Sequence, residues 1–427
     1  MRVPSMRARL SLPWVVAALL LAAAPAAAQQ NPYRLKEPNQ QKLCLACHSD
    51  FESTLKKRSV HTAVKSGECA SCHDPHVSSH GKLLADEPGR ICAACHQSVI
   101  PAQAKSVHKV VADGACAKCH DPHASDTPGN LVAAGADLCF GCHKDVADTV
   151  KGAKFRHAPV EQGCLTCHAP HGSDQAPALL KTAVPAICVK CHKPDTPAFV
   201  SRHANYPVAK ASCTTCHDPH GADQPALLLK NVHAPVANRM CSQCHESPES
   251  PTPFATKRDG FELCKGCHND AVTAIMARSR LHWPVADRKG CINCHNPHAS
   301  KQPKLLAEAQ PALCASCHAD TTGRIAALKV KHAPVESGAC TTCHSPHGAS
   351  GVALVEQASP NELCTTCHDY STHSAHPIGE KAIDPRNKNL RVDCLSCHKP
   401  HGTDFTHMLL TETTLELCTQ CHAKFGR

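Results

Sequence analysis

Cysteine and histidine are the residues of this chain that can do chemistry, and their spacing repeats. All 32 cysteines fall in C-x-x-C-H pentads, with none left over. In chain order the sixteen pentads are Cys44, Cys47 and His48; Cys69, Cys72 and His73; Cys92, Cys95 and His96; Cys116, Cys119 and His120; Cys139, Cys142 and His143; Cys164, Cys167 and His168; Cys188, Cys191 and His192; Cys213, Cys216 and His217; Cys241, Cys244 and His245; Cys264, Cys267 and His268; Cys291, Cys294 and His295; Cys314, Cys317 and His318; Cys340, Cys343 and His344; Cys364, Cys367 and His368; Cys394, Cys397 and His398; and Cys418, Cys421 and His422. In an exported chain so many cysteines would first read as disulfides. A histidine directly after every second cysteine has no place in that reading. One pentad alone could be a redox dithiol or half of a zinc site. Sixteen repetitions point instead to covalent attachment of haem c. The paired thiols add across the vinyl groups, and the residues between them set the separation. The histidine that follows lies beneath the macrocycle as an axial ligand. The expected cofactors are sixteen haems c and their iron.

The second axial ligand must come from elsewhere. Methionine is one alternative, but beyond residue 28 the chain has only Met240, Met276 and Met408. Histidine is abundant: of 34, eighteen remain once the proximal ones are set aside. Seven follow a pentad as CH-x-P-H: His76, His123, His171, His220, His298, His347 and His401. Eight more stand about eight to eighteen residues before a pentad. His157, His233 and His332 lie in H-A-P-V, His282 in H-W-P-V, and His61, His108, His203 and His376 in looser forms. His80, His373 and His407 are left as candidates for the sixteenth iron. The CH-x-P-H histidine cannot serve the ring held just before it, because so short a chain cannot pass around a macrocycle. It is expected to serve a different ring, with the proline fixing φ and aiming it away.

The elements that position these residues repeat as well. Pentads recur every 23 to 30 residues in two alternating types. One follows Leu or Ile, as at Leu43, Ile91, Leu138 and Ile187; the other usually follows a glycine, as at Gly163 and Gly290, and ends in x-P-H. The repeat is thus a haem pair of about 48 residues, the kind of period that defines an array. The alternation breaks at Cys241, whose pentad lacks the following P-H. Residues 246–260 then read as a Pro- and charge-rich linker. The expected organisation is a signal segment at 1–28, a nine-haem module at 29–245, the linker, and a seven-haem module at 261–427. The stretch before each Leu-type pentad reads as a short helical turn, as at Ser359 to Leu363. No segment alternates with period two, so little or no β-structure is expected. The fold class is mostly coil with short α-helices, an extended array with haems as its core.

Composition agrees. Aromatic residues are only 3% of the chain, too few for an ordinary core. Covalent and axial bonds would replace that burial, as staples do in small domains, and the apo-chain should be largely disordered. Arg2, Arg7 and Arg9, an apolar run from Leu10 to Ala24 and Ala26-Ala27-Ala28 give the layout of a cleaved signal peptide. No cysteine stands at the cleavage site, so no lipid anchor is expected there. No later segment is long and apolar enough for a transmembrane helix. The formal charge of +9 falls to +6 without those three arginines. Sixteen ferric bis-His haems, each about −1, would bring it to roughly −10. The basic residues therefore read as partners for propionates, and nucleic acid is not an expected partner.

The paired pentads with CH-x-P-H resemble the doubled-CXXCH multihaem c-type cytochromes, a cytochrome c3-like group of periplasmic electron-transfer proteins. The resemblance runs from residue 44 to 422. It implies bis-His haems in close contact, in an electron carrier of the periplasm or outer surface active in anaerobic or metal respiration. It also implies redox partners: a quinol-linked donor, other periplasmic or outer-membrane cytochromes, and an outer-membrane porin of the kind that periplasmic decahaem relatives serve. The chain departs from the pattern in having sixteen pentads and in the missing P-H. Bis-His ligation leaves iron no site for substrate, so no catalytic residue is expected. Two alternatives stay open. One is an oxyanion reductase with an open iron at Cys241/Cys244 or its neighbour. The other is a conducting filament of stacked subunits.

Overall fold

The computed structural model describes residues 37–370, 376–379 and 381–423. The expected signal segment and His373 lie outside the described residues. Contacts divide the chain into two compact units, residues 1–87 with 121–130 and residues 88–120 with 131–427.

The two pentad types fold differently. Every Leu-type pentad begins inside an α-helix. The first unit has α1 (Gln40–Leu45). The second has α2 (Pro88–Cys95), α3 (Gly135–Phe140), α4 (Ala186–Val189), α5 (Gly260–Met276), α6 (Gln310–Ala327), α7 (Pro360–Thr365) and α8 (Thr414–Thr419). Side-chain caps start three of them: Asn39, Ser359 and Thr413 accept the N–H groups of Lys42, Glu362 and Glu416. The sequence led us to expect single turns, but α5 and α6 run on for 17 and 18 residues. No proline follows either pentad to stop them, and each helix bends at its proximal histidine, His268 or His318, where φ is −103° or −104°.

Every Gly-type pentad instead opens on one 3-10 turn, as at Cys69–Ser71, Cys164–Thr166 and Cys340–Thr342. The preceding glycine lets that turn approach the start of the helix before it. Gly114 has φ +68°, and a Cβ there would stand 3.0 Å from Gly89 Cα at the start of α2. Gly290 has φ +55°, and its Cβ would stand 2.9 Å from the Phe261 nitrogen in α5. Only glycine takes both the left-handed backbone and the contact without strain.

The β-structure is as sparse as expected, but it is placed with purpose. In the first unit β1 (Ser59–Val60) pairs antiparallel with β3 (Ala124–Ser125). In the second, β2 (Ser106–Val107) pairs with β4 (Gly172–Ser173), β5 (Asn231–Val232) with β6 (Ala299–Ser300), and β7 (Val330–Lys331) with β8 (Gly402–Thr403). Single bridges at Phe155–Ala222 and Arg280–Ala349 repeat the arrangement. Each joins the residues just before an upstream histidine to the residues just after a CH-x-P-H histidine. Residues 246–260, read as a linker, fold back on the ninth pentad: the Glu246 N–H donates to Ala255 at 2.9 Å, and the Lys257 N–H to Cys244 at 2.9 Å.

The side-chain core is thin. Small residues such as Ala124, Ala176, Ala299 and Ala349 dominate it, and among the described residues no large side chain is fully buried. The second unit instead encloses a cavity of about 3680 Å³ lined by residues from His157 to His401. That is several times the ~300–1,000 Å³ of a usual small-molecule site. No helix of the described residues is long and apolar enough to cross a membrane.

Candidate haem-iron centres

Among the described residues thirteen proximal histidines can be placed opposite a second imidazole. In the first unit His73 faces His123, with ring centroids 6.0 Å apart. In the second unit the CH-x-P-H histidines give five more pairs. His120 faces His171, His168 faces His220, His245 faces His298, His295 faces His347 and His344 faces His401, at 5.8–6.2 Å. The upstream histidines give the rest. His143 faces His108, His192 faces His157, His268 faces His233, His318 faces His282, His368 faces His332, His217 faces His203 and His422 faces His376, at 5.8–6.3 Å. Two imidazoles each about 2 Å from one shared metal put their centroids roughly 6 Å apart. The donor set and its spacing therefore fit an iron between each pair.

The pairing follows one register. A CH-x-P-H histidine faces the proximal histidine two pentads back and not the one just before it. An upstream histidine faces the Leu-type pentad whose first cysteine lies 31 or 32 residues later, or 42 for His376. The small strands make this offset. In β1 and β3, for example, the His61 N–H donates to the His123 carbonyl at 2.9 Å, and in the second unit His108 and His233 donate to His171 and His298 in the same way.

The register also resolves the irregular place. By the two-pentad offset the eighth pentad would be faced by a P-H after the tenth, and none follows His268. His203, ten residues before Cys213, fills that position opposite His217 at 6.3 Å. It sits differently from the other upstream histidines, ending the helix Pro197–Arg202 rather than starting one, with its Nδ1 on the Phe199 carbonyl at 2.9 Å. His245 itself has His298 opposite, Nε2 to Nε2 at 3.5 Å. At Cys241/Cys244 and its neighbour, where the reductase alternative put an open iron, His245 and His217 each have an imidazole opposite.

Backbone carbonyls fix which nitrogen points at the iron. Nδ1 of His73, His168, His217, His245, His295, His344 and His398 lies 2.7–3.0 Å from the carbonyls of Lys82, Ala178, Ala226, Phe254, Lys304, Ala353 and His407. Six of these acceptors, all but Phe254, have positive φ, which turns the carbonyl inward. On the other face, Nδ1 of His108, His157, His233 and His282 meets the carbonyls of Pro170, Pro219, Pro297 and Pro346 at 2.8–3.1 Å. A donated Nδ1 proton leaves Nε2 free as the ligand and raises its basicity. These carbonyl partners are the functional residues missed in the sequence. Their signal was the apolar pair recurring after each Gly-type pentad, as in Leu83-Leu84 and Leu305-Leu306.

Burial holds several rings neutral. It pushes His123, His168, His171, His217, His298, His347 and His401 below the usual histidine range. A neutral imidazole is the form that binds metal. The first thiols of adjacent pentads lie side by side: Cys44 with Cys69 in the first unit, and Cys139 with Cys164, Cys188 with Cys213 and Cys314 with Cys340 in the second. Burial and that neighbour push Cys139, Cys188 and Cys314 up to about 11.

The remaining candidates sort clearly. His61 starts the helix Thr62–Lys65 beside β1. His76 points to solvent, its side chain 91% exposed. His80 lies 3.5 Å from Glu87 rather than opposite a proximal ring. His407 is an exposed corner residue that offers its carbonyl to His398.

The family described as the doubled CXXCH motif matches eight times, at residues 61–100, 108–148, 157–197, 205–232, 233–273, 282–323, 332–373 and 387–427. Each match but one spans a Gly-type pentad and the Leu-type pentad after it. The short match at 205–232 holds only the eighth pentad, where the register changes. The comparison with curated proteins finds no match. Together the matches cover most of the sequence, and the paired motifs carry the covalent haem c attachment read above: this chain belongs to the doubled-CXXCH family and is a multihaem c-type cytochrome.

Proposed function

We propose that the chain is an exported electron-transfer protein that carries sixteen haems c, nearly all bis-His, and passes electrons from ring to ring. The observation that carries this reading is the set of thirteen facing imidazole pairs at one common spacing. The haems supply the redox chemistry, and the chain supplies positions, ligands and a surround of low polarity. The side-by-side first thiols support consecutive rings that lie next to one another. The carbonyl locks on both faces make the imidazoles better donors, which favours the ferric state and low potentials. Bis-His ligation leaves a coordinated iron no place for substrate, so the reading is a carrier rather than an enzyme. Export to the periplasm or beyond, with a quinol-linked donor and cytochrome or porin partners, follows from the apolar N-terminal segment and the family resemblance.

Intact-mass measurement with redox potentiometry tests the proposal. Sixteen haems that titrate as low-spin centres over a broad low range are expected. A protein with far fewer haems, or one whose spectra are mainly high-spin, would falsify it.

A further inference from the structure

Of the first unit's proximal, CH-x-P-H and upstream histidines outside the His73–His123 pair, His48 and His76 are the two to which the register assigns no partner. His48 is the proximal histidine of a Leu-type pentad. By the spacing rule its partner would stand 31 or 32 residues before Cys44, near Pro13, yet residues 1–43 contain no histidine. No methionine lies between residues 7 and 239 either. The His48 side chain is exposed, and among the described residues no imidazole faces it.

The nearby histidines are directed elsewhere. His61 stands 31 residues before Cys92, the spacing of a ligand for that pentad. His80 is held by Glu87 at 3.5 Å. His76 is the closest competitor. Its N–H is held by Asp74 Oδ1 at 3.0 Å. The same turn, with Asp121 Oδ1 holding the His123 N–H at 2.9 Å, aims His123 at the ring two pentads back. No pentad stands two places before the one at Cys69, and His76 turns to solvent beside Asp74.

We propose that the iron held at Cys44/Cys47 has His48 on one face and an exchangeable position on the other. It is a binding site for small ligands: carbon monoxide or nitric oxide on ferrous iron, cyanide or nitrite on ferric iron. Its ring lies beside that of Cys69, since the Cys44 and Cys69 thiols are hydrogen-bonded. A ligand bound there is therefore within reach of electrons from the ring at Cys69/Cys72. The inference rests on the haem reading above, and it moves the open iron from the break at Cys241 to the start of the array.

The test uses full-length holoprotein. Peptide mapping first shows whether the Cys44–Cys47 peptide carries haem; a bare peptide sinks this site, whereas a general shortage of haem sinks the proposed function itself. Reduced protein is then titrated with carbon monoxide. About one sixteenth of the Soret amplitude should shift, matched by a similar high-spin fraction in the ferric EPR spectrum. Cys44→Ala with Cys47→Ala should remove that fraction and spare the rest. If the double variant does not accumulate, His48→Ala serves, because it should shift the C–O stretch of the bound ligand. His76→Ala should leave the fraction unchanged. The proposal is overturned by a wild-type protein that binds no carbon monoxide, by a fraction that survives loss of both cysteines, or by sensitivity that appears only in His76→Ala.

Discussion

His203 shows how much one side chain carries. It supplies the imidazole that a P-H two pentads on would have given, so His203→Ala should convert the ring at Cys213/Cys216 alone to a high-spin, carbon-monoxide-binding form. Optical titration would read one added sensitive haem, and none would mean that another group covers that face. His298→Met asks the converse question at Cys241/Cys244. A His-Met pair raises potential, so one centre should move upward by part of the ~0.8 V that axial ligands span, as read by potentiometry. A charged residue gives a pH prediction. The Arg386 guanidinium, hydrogen-bonded to Asp384 at 2.7–3.2 Å, holds that carboxyl down at about 2. The folded group gives up its proton more readily than the unfolded one. Its contribution is therefore complete above about pH 4 and is lost as pH falls through about 2. Asp384→Asn should flatten that part of an acid-unfolding curve. An unchanged curve would show that the pair does not hold the 379–393 loop.

At the scale of elements, the glycine turns are the tightest constraint. Gly290→Ala forces a Cβ into the left-handed region against the start of α5 and should cost on the order of 1–3 kcal/mol, seen as a lower midpoint in thermal unfolding of the holoprotein. The pentads and the two types were legible in the sequence because thioether and axial chemistry demand fixed spacing. So was the split of CH-x-P-H from upstream histidines. The pairing was not. It depends on strands of two residues, too short to leave any alternation, and on carbonyls turned inward by residues such as Lys82, Ala226 and Lys304, which do not advertise positive φ. Both halves of the irregular site were visible, the absent P-H and the isolated His203. Their connection needed the two-pentad offset, so the break looked like a missing ligand when it was a substituted one.

At the scale of the whole molecule, few large side chains are buried among the described residues, and in the second unit a large apolar cavity takes their place. Chain produced without haem attachment should lose its far-UV circular dichroism and become sensitive to protease; a folded apo-protein would mean that the side chains alone suffice. The facing pairs carry a further meaning. The CH-x-P-H imidazole of one repeat faces a proximal histidine of an earlier repeat, so neighbouring repeats are laced together as a bootlace joins eyelets. Dividing the array between two such repeats would strand a ring on one side of the cut and an imidazole on the other. The array can therefore be divided cleanly only where a local histidine closes the gap, and His203 marks such a seam.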